Sequence, residues 1–230
     1  MTDAKKTMAA LLAVVTLLIA WACSSSMFEN LEADQVMVVQ APWSGELTWH
    51  TTQGTKWQGW GTVTKYHRRT HFSFGSKDKA GKPDGEPLKI KFNEGGEAKI
   101  FGSLSWDLPL TPEHLTEIHQ KFHSEEALEA QLIRTNIDKA VSLTGPMMSS
   151  FDSYGARKAE MLSLIEDQLV KGPYRIRTEM EMVEDPITKE KKQVRVAKLT
   201  TDPKTGEIAR EITSPLEHLG IRSEEHTSEL

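Results

Sequence analysis

The sequence predicts an α+β fold, with antiparallel strands and packed helices set behind an N-terminal apolar anchor. Apolar residues alternate with polar ones from Leu88 to Leu108, recur every three or four positions from Leu115 to Leu169, and alternate again from Tyr174 to Met182. A period of two belongs to strands and a period near 3.6 to helices, so strands, helices and strands follow one another. Ahead of all of them, residues 8–23 form the only long apolar run.

That run is preceded by Lys5 and Lys6 and followed by Ser24, Ser25 and Ser26, the layout of a secretory signal or a membrane anchor. A spanning helix takes about 20 apolar residues. This run is shorter, which leaves a tight anchor and a cleaved signal both open. Ala20, Ala22 and Cys23 before the serines resemble the lipobox of bacterial lipoproteins, whose cysteine is acylated; the bulky Trp21 departs from that pattern. Residues 1–26 are therefore read as an apolar anchor or lipoprotein-type signal, with Cys23 the candidate lipidation site. Two lysines before the run and no basic cluster just behind it keep the N-terminus cytoplasmic and send the remainder across the membrane.

The chain has 230 residues, a net charge of −5, 38% hydrophobic residues and a single cysteine. A mildly acidic balance argues against nucleic acid as a partner, because phosphate binding needs clustered Lys and Arg. With one cysteine no intramolecular disulfide can form. Stability outside the cytoplasm must then come from packing or self-association.

Beyond the anchor, residues 35–40 are a β-branched run ended by Ala41 and Pro42, and residues 47–51 alternate; Pro42-Trp43-Ser44-Gly45 supplies the turn of a hairpin between them. Glycines and tryptophans crowd residues 54–66, suggesting bends where backbone passes close to large rings. Trp43, Trp49, Trp57 and Trp60 could form an aromatic cage or a carbohydrate platform, but are read as packing residues of the core or of a sheet edge. Residues 76–87 are polar, with two prolines and two glycines, and read as an exposed loop. Leu88, Ile90 and Phe92, a turn at Asn93-Glu94-Gly95-Gly96, and then Ala98 through Leu108 predict one antiparallel hairpin with a dry face.

Thr111, Pro112 and Glu113 predict a helix start with Thr111 as cap and Leu115, Ile118 and Phe122 on one face. Ser124 opens a second helix that Gly145 and Pro146 stop, and a third runs from about Asp152 to Lys171, ended by Gly172 and Pro173. A meander follows: a strand from Tyr174 to Met182, a turn over residues 185–190, strands over 193–199 and 207–211, and a helix start at Ser214.

Motifs for chemistry are sparse. His119 and His123 stand four apart on a predicted helix, but no third ligand or HExxH pattern accompanies them, so they are read as solvated or core histidines. There is no nucleophile elbow, and Gly59-Trp60-Gly61 lacks the third glycine and following helix of a dinucleotide site. Neither catalytic, cofactor-binding nor metal residues are assigned, and no enzymatic activity is expected.

The order of these elements, together with Gly54-Thr55-Lys56-Trp57-Gln58-Gly59-Trp60-Gly61-Thr62-Val63-Thr64-Lys65-Tyr66, Gln131-Leu132-Ile133-Arg134-Thr135 and Thr144-Gly145-Pro146-Met147-Met148-Ser149-Ser150, resembles the band 7 or SPFH superfamily of stomatin, prohibitin and flotillin. It is most similar to the prohibitin-like members of phages and bacteria. The resemblance covers residues 30–221 and implies an SPFH-like domain there. Members are membrane-anchored scaffolds that assemble into rings or cages and modulate membrane proteases. The resemblance thus implies membrane lipid, further copies of the chain and a membrane protease as partners, with the domain on the non-cytoplasmic side of a bacterial inner membrane. Arg175, Arg177, Glu179 and Glu181, alternating on a strand, are candidate contacts between subunits or, equally, an ordinary solvated strand face. The alternative from a different class is a monomeric membrane lipoprotein that binds a small ligand or peptide near the tryptophans. Residues 222–230 resemble the translation of a sequencing-library adaptor and are assigned no function; the coiled coil that usually follows the family's domain is not found before them.

Overall fold

The computed structural model describes residues 7–8, 13–16, 27–77, 83–84, 86–155, 157–184, 189, 191–203 and 205–225, and the chain divides into two compact units, Met1–Arg68 and Arg69–Leu230. Of the apolar run, residues 8 and 13–16 are helical, while Cys23 lies outside the described residues. Among the described residues no helix is long and apolar enough to cross a membrane. The fold is mixed α+β with antiparallel sheets, as the periodicities predict.

The first unit holds β1 (Phe28–Leu31), β2 (Gln35–Gln40), β3 (Leu47–His50), β4 (Gly54–Trp57) and β5 (Thr62–His67). β2 is the middle strand of a β3-β2-β5 sheet, and its Val36, Met37, Val38 and Val39 are all buried. A strand covered on both faces can be apolar without interruption, which is why this stretch reads as a run rather than an alternation. Leu31, Met37 and Val39 form a core that Val63 packs against. The turn expected at residues 42–45 is present: Gly45 N donates to Ala41 O at 3.0 Å and Ala41 N to Glu46 O at 2.9 Å. β1, which the sequence reading did not mark, pairs with β4 from Phe28↔Trp57 to Leu31↔Gly54.

The second unit opens with β6 (Arg69–Phe74), the short pair β7 (Ser76–Lys77) and β8 (Pro83–Asp84), then β9 (Leu88–Lys91), β10 (Glu97–Ile100) and β11 (Gly102–Asp107). β9 and β10 form the expected hairpin, with Leu88 opposite Ile100 and Ile90 opposite Ala98. The continuous strand expected from Ala98 to Leu108 is corrected: it breaks at the exposed Phe101, and β11 leaves the hairpin to pair with β6. Alternation survives the break, so the pattern could not reveal it. The opposite edge of β11 takes β14 (Arg222–Glu225), drawn from the stretch that the sequence reading assigned no role.

Between them lie α1 (Pro112–Phe122), α2 (Glu125–Leu128), a π-helical stretch Glu129–Ile133, α3 (Arg134–Thr144), a 3-10 turn Gly145–Met147, α4 (Ser150–Tyr154), α5 (Lys158–Lys171) and α6 (Pro215–His218). Leu115, Ile118, Leu128, Ile133, Ile137, Val141, Ile165 and Leu169 are buried, as the three- and four-residue spacing predicts. Three expectations are corrected. Thr111 stands at the N-cap of α1 without capping; its hydroxyl bonds His114 Nδ1 at 3.1 Å instead. His123 is not within the helix but follows α1 as its left-handed C-cap, with φ 62°. The single helix expected over residues 152–171 is two, because Gly155 adopts φ −102° and ψ −128° and ends α4.

After α5 come β12 (Ile176–Glu184) and β13 (Lys191–Leu199), paired along their whole length from Ile176↔Leu199 to Glu184↔Lys191. The strand expected over residues 207–211 is reduced to isolated bridges, Tyr174↔Arg210 and Thr201↔Ile208.

The base of this hairpin is clamped to α5 by polar contacts. Tyr174 Oη donates to Asp167 Oδ2 at 2.6 Å, Arg210 Nη2 donates to the same oxygen at 2.6 Å, and Lys171 Nζ lies 2.9 Å from Asp167 Oδ1. The Arg210 guanidinium also sits 5.1 Å from the centroid of the Tyr174 ring. Burial works against ionisation of Asp167, but the hydrogen bonds from Tyr174, Arg210 and Lys171 and the charge of Arg210 outweigh it, holding its pKa at about 2. Burial, then the bond to Asp167, pushes the Tyr174 phenol up. Gln168, itself buried, donates to Thr144 Oγ1 at 2.8 Å and accepts from Tyr174 N at 3.3 Å, tying α3, α5 and the hairpin base together.

Candidate functional site

The first unit carries its chemistry in its turns. The β2–β3 turn lifts Trp43 into solvent, 84% exposed, and the β4–β5 turn does the same for Trp60, 67% exposed. The two rings meet edge to face with centroids 6.1 Å apart. Gly61 allows the second turn to lie against β2: a Cβ there would come within 2.7 Å of both Gln40 O and Val39 Cγ1. Trp57, at the end of β4, is 58% exposed and stands edge to face with Phe28 at 5.0 Å. The backbone continues this pairing one step further, Gln58 N donating to Met27 O at 2.9 Å.

The packing reading is thereby corrected for Trp43 and Trp60, which stand in turns, whereas Trp49 and Trp57 lie on the edge strands β3 and β4 as that reading allows. Trp43, Trp57 and Trp60 are at the surface, and Trp49 is half-buried, 6.3 Å from Tyr66. An apolar residue in a tight turn has no core to point into, and hydrophobicity alone does not register that. Met27, Val39, Pro42, Trp43, Trp57 and Trp60 wall a cleft of about 600 Å³. His50 also lines it, and burial, followed by the charge of Lys56, lowers the pKa of His50, so the cleft offers a neutral imidazole at neutral pH.

The second unit has its own cavity of about 880 Å³, lined by Leu108, Leu110, His114, Leu169, Leu216 and Ile221 among others. His119 is buried and its ring lies edge to face with His123 at 6.0 Å; burial and then the neighbouring His123 lower its pKa. Among the described residues no three His, Cys, Asp or Glu side chains come together as a metal site.

The residues marked as subunit contacts sit on or beside β12. Arg177 Nη2 lies 3.0 Å from Glu179 Oε1, and Lys198 of β13 reaches Glu179 Oε2 at 3.1 Å and also Glu181. Arg175 precedes the strand, its backbone N donating to Ala209 O at 2.8 Å and its carbonyl accepting from Thr200 N at 3.1 Å. The charges of Arg177, Glu179 and Glu181 are thus engaged within the hairpin. Scanned against models of protein families and against curated proteins, the sequence matches none.

Proposed function

We propose that this chain is a membrane-anchored scaffold of the prohibitin and stomatin type, held to the bilayer by residues 8–23 and working through self-association rather than catalysis. The observation that carries the reading is the aromatic face at Met27, Phe28, Trp43, Trp57 and Trp60, which begins where the chain leaves the apolar run. Only four residue steps separate Cys23 from Met27. Fully extended, they reach about 14 Å, so a face at Met27 cannot lie far from the headgroups once residues 8–23 are in the bilayer. Tryptophan is the side chain that the interface favours, with its apolar body in acyl chains and its indole N–H in the wet layer. The same face would be a solubility defect on a freely diffusing protein. A membrane protease is the partner that the family resemblance implies for such a scaffold.

The test is full-length protein in vesicles carrying brominated lipids. Trp43, Trp57 and Trp60 are each replaced by Phe, so that the remaining fluorescence can be assigned. The reading expects quenching at all three from shallow bromines. Quenching confined to Trp21 would leave an anchored protein whose aromatic face does not touch lipid. Trp43→Ala is expected to change the unfolding free energy by no more than about 0.5 kcal/mol, since it removes an exposed side chain.

A second reading keeps one supporting observation. A cleft of about 600 Å³ lies within the ordinary range of small-ligand sites, which favours a monomeric lipoprotein that binds a ligand or peptide between the tryptophans. That reading expects no quenching from lipid at Trp43 or Trp60. Cys23→Ser separates the modes of attachment: a lipoprotein loses its acyl mass and its membrane retention, whereas a helical anchor keeps mass and retention unchanged.

A further inference from the structure

β12 and β13 form a two-stranded sheet of nine residues a side, and among the described residues no third strand joins either edge. Its base is held by Tyr174, Arg210 and the buried Val196 and Ala197. Its distal half is not: Lys191, Gln193 and Arg195 on β13 are exposed, and Met180 and Met182 on β12 are 56% and 65% exposed. A free two-stranded ribbon is marginal in water, and an open edge is a template for a further strand.

The charges choose the occupant. β12 carries Glu179 and Glu181 against Arg177, whereas β13 carries Lys191, Arg195 and Lys198; Lys198 meets both glutamates within its own hairpin, while Lys191 and Arg195 are exposed on the distal half of β13. Pairing β12 with another β12 sets glutamates beside glutamates, and pairing β13 with another β13 sets cations beside cations. Only β12 of one copy against β13 of the next brings opposite signs to neighbouring strands, about 4.8 Å apart, well inside the screening length. We infer that the hairpin is an assembly arm: the open edge of β12 pairs with the open edge of β13 in a second copy of this chain, continuing the antiparallel ladder head to tail. Such a contact is heterologous, so it closes into a ring or extends as a filament rather than stopping at a dimer. It deepens the scaffold reading and rests on it, and a shared membrane raises the local concentration that lets a short strand contact form.

Charge exchange tests the arm. In one full-length variant Glu179→Lys and Glu181→Lys make β12 basic; in the other Lys191→Glu and Arg195→Glu make β13 acidic. Both are embedded in vesicles and crosslinked. Wild type is expected to give a ladder of multimers, each variant alone to lose it, and an equimolar mixture to recover it, since every contact in an alternating assembly then joins opposite signs. Recovery on mixing also shows that both variants fold. Hydrogen exchange supplies a second measurement: amides of residues 176–183 and 191–199 should slow at least tenfold in assembled wild type relative to a dilute detergent-solubilised monomer. A wild-type ladder that survives either variant alone, or assembly with no slowing in these strands, would overturn the arm while leaving the scaffold standing. Wild type that enters vesicles but gives no ladder would overturn both.

Discussion

Asp167 holds Tyr174, Arg210 and Lys171 at once, and its stability contribution follows from its titration. Its ordinary pKa is 3.8 and its folded pKa about 2. As pH falls the unfolded chain takes up the proton first, so this contribution is complete above pH 3.8 and is lost as pH falls through about 2. Asp167→Asn should lower the unfolding free energy by about 2 kcal/mol at neutral pH, and should flatten the acid limb of a urea-midpoint profile between those values. Nothing in the sequence announced this cluster, because Asp167, Tyr174 and Arg210 are brought together only when β12 and β13 fold back on α5. The exposed tryptophans were hidden for a different reason. Apolar content predicts burial only where a regular element supplies a covered face, and Trp43 and Trp60 stand in turns.

Among the elements, those with unbroken periodicity and strong boundaries were readable: β2 and β3 with their turn, β9, α1, β12 and β13. Ser124 and Ser214 act as caps, accepting from Ala127 N at 3.2 Å and Leu216 N at 3.3 Å. Interruptions that keep the period were not readable. The exit of β11 from its hairpin at Phe101 and the break at Gly155 leave the apolar pattern in phase, and β1 is too short and polar to show one. Gly172 stops the helix, and its role is more demanding than that. It adopts φ +105° and ψ 160°, and a Cβ there would strike the Ile212 carbonyl oxygen and lie 2.8 Å from Ser214 N. Gly172→Ala should therefore cost at least about 2 kcal/mol, because strained backbone and a backbone clash act together. A lowered thermal midpoint with α-helical circular dichroism retained would place the damage at the α5 terminus.

For the whole chain, the class of fold was carried by the order of periodicities, and the functional reading by a resemblance together with an apolar run of which residues 9–12 and 17–23 lie outside the described residues. The two units contribute different things to that reading: the first an aromatic face beside the apolar run, the second a charged, open-edged ribbon. Each suits a protein that works at a surface among copies of itself. The native mass of full-length protein, extracted from vesicles in a mild detergent and measured at once, tests this most directly. The scaffold reading expects a particle of many subunits that disperses when the β12 charges are reversed. A uniform single-chain mass, from protein shown to be bound to the vesicles beforehand, would contradict it.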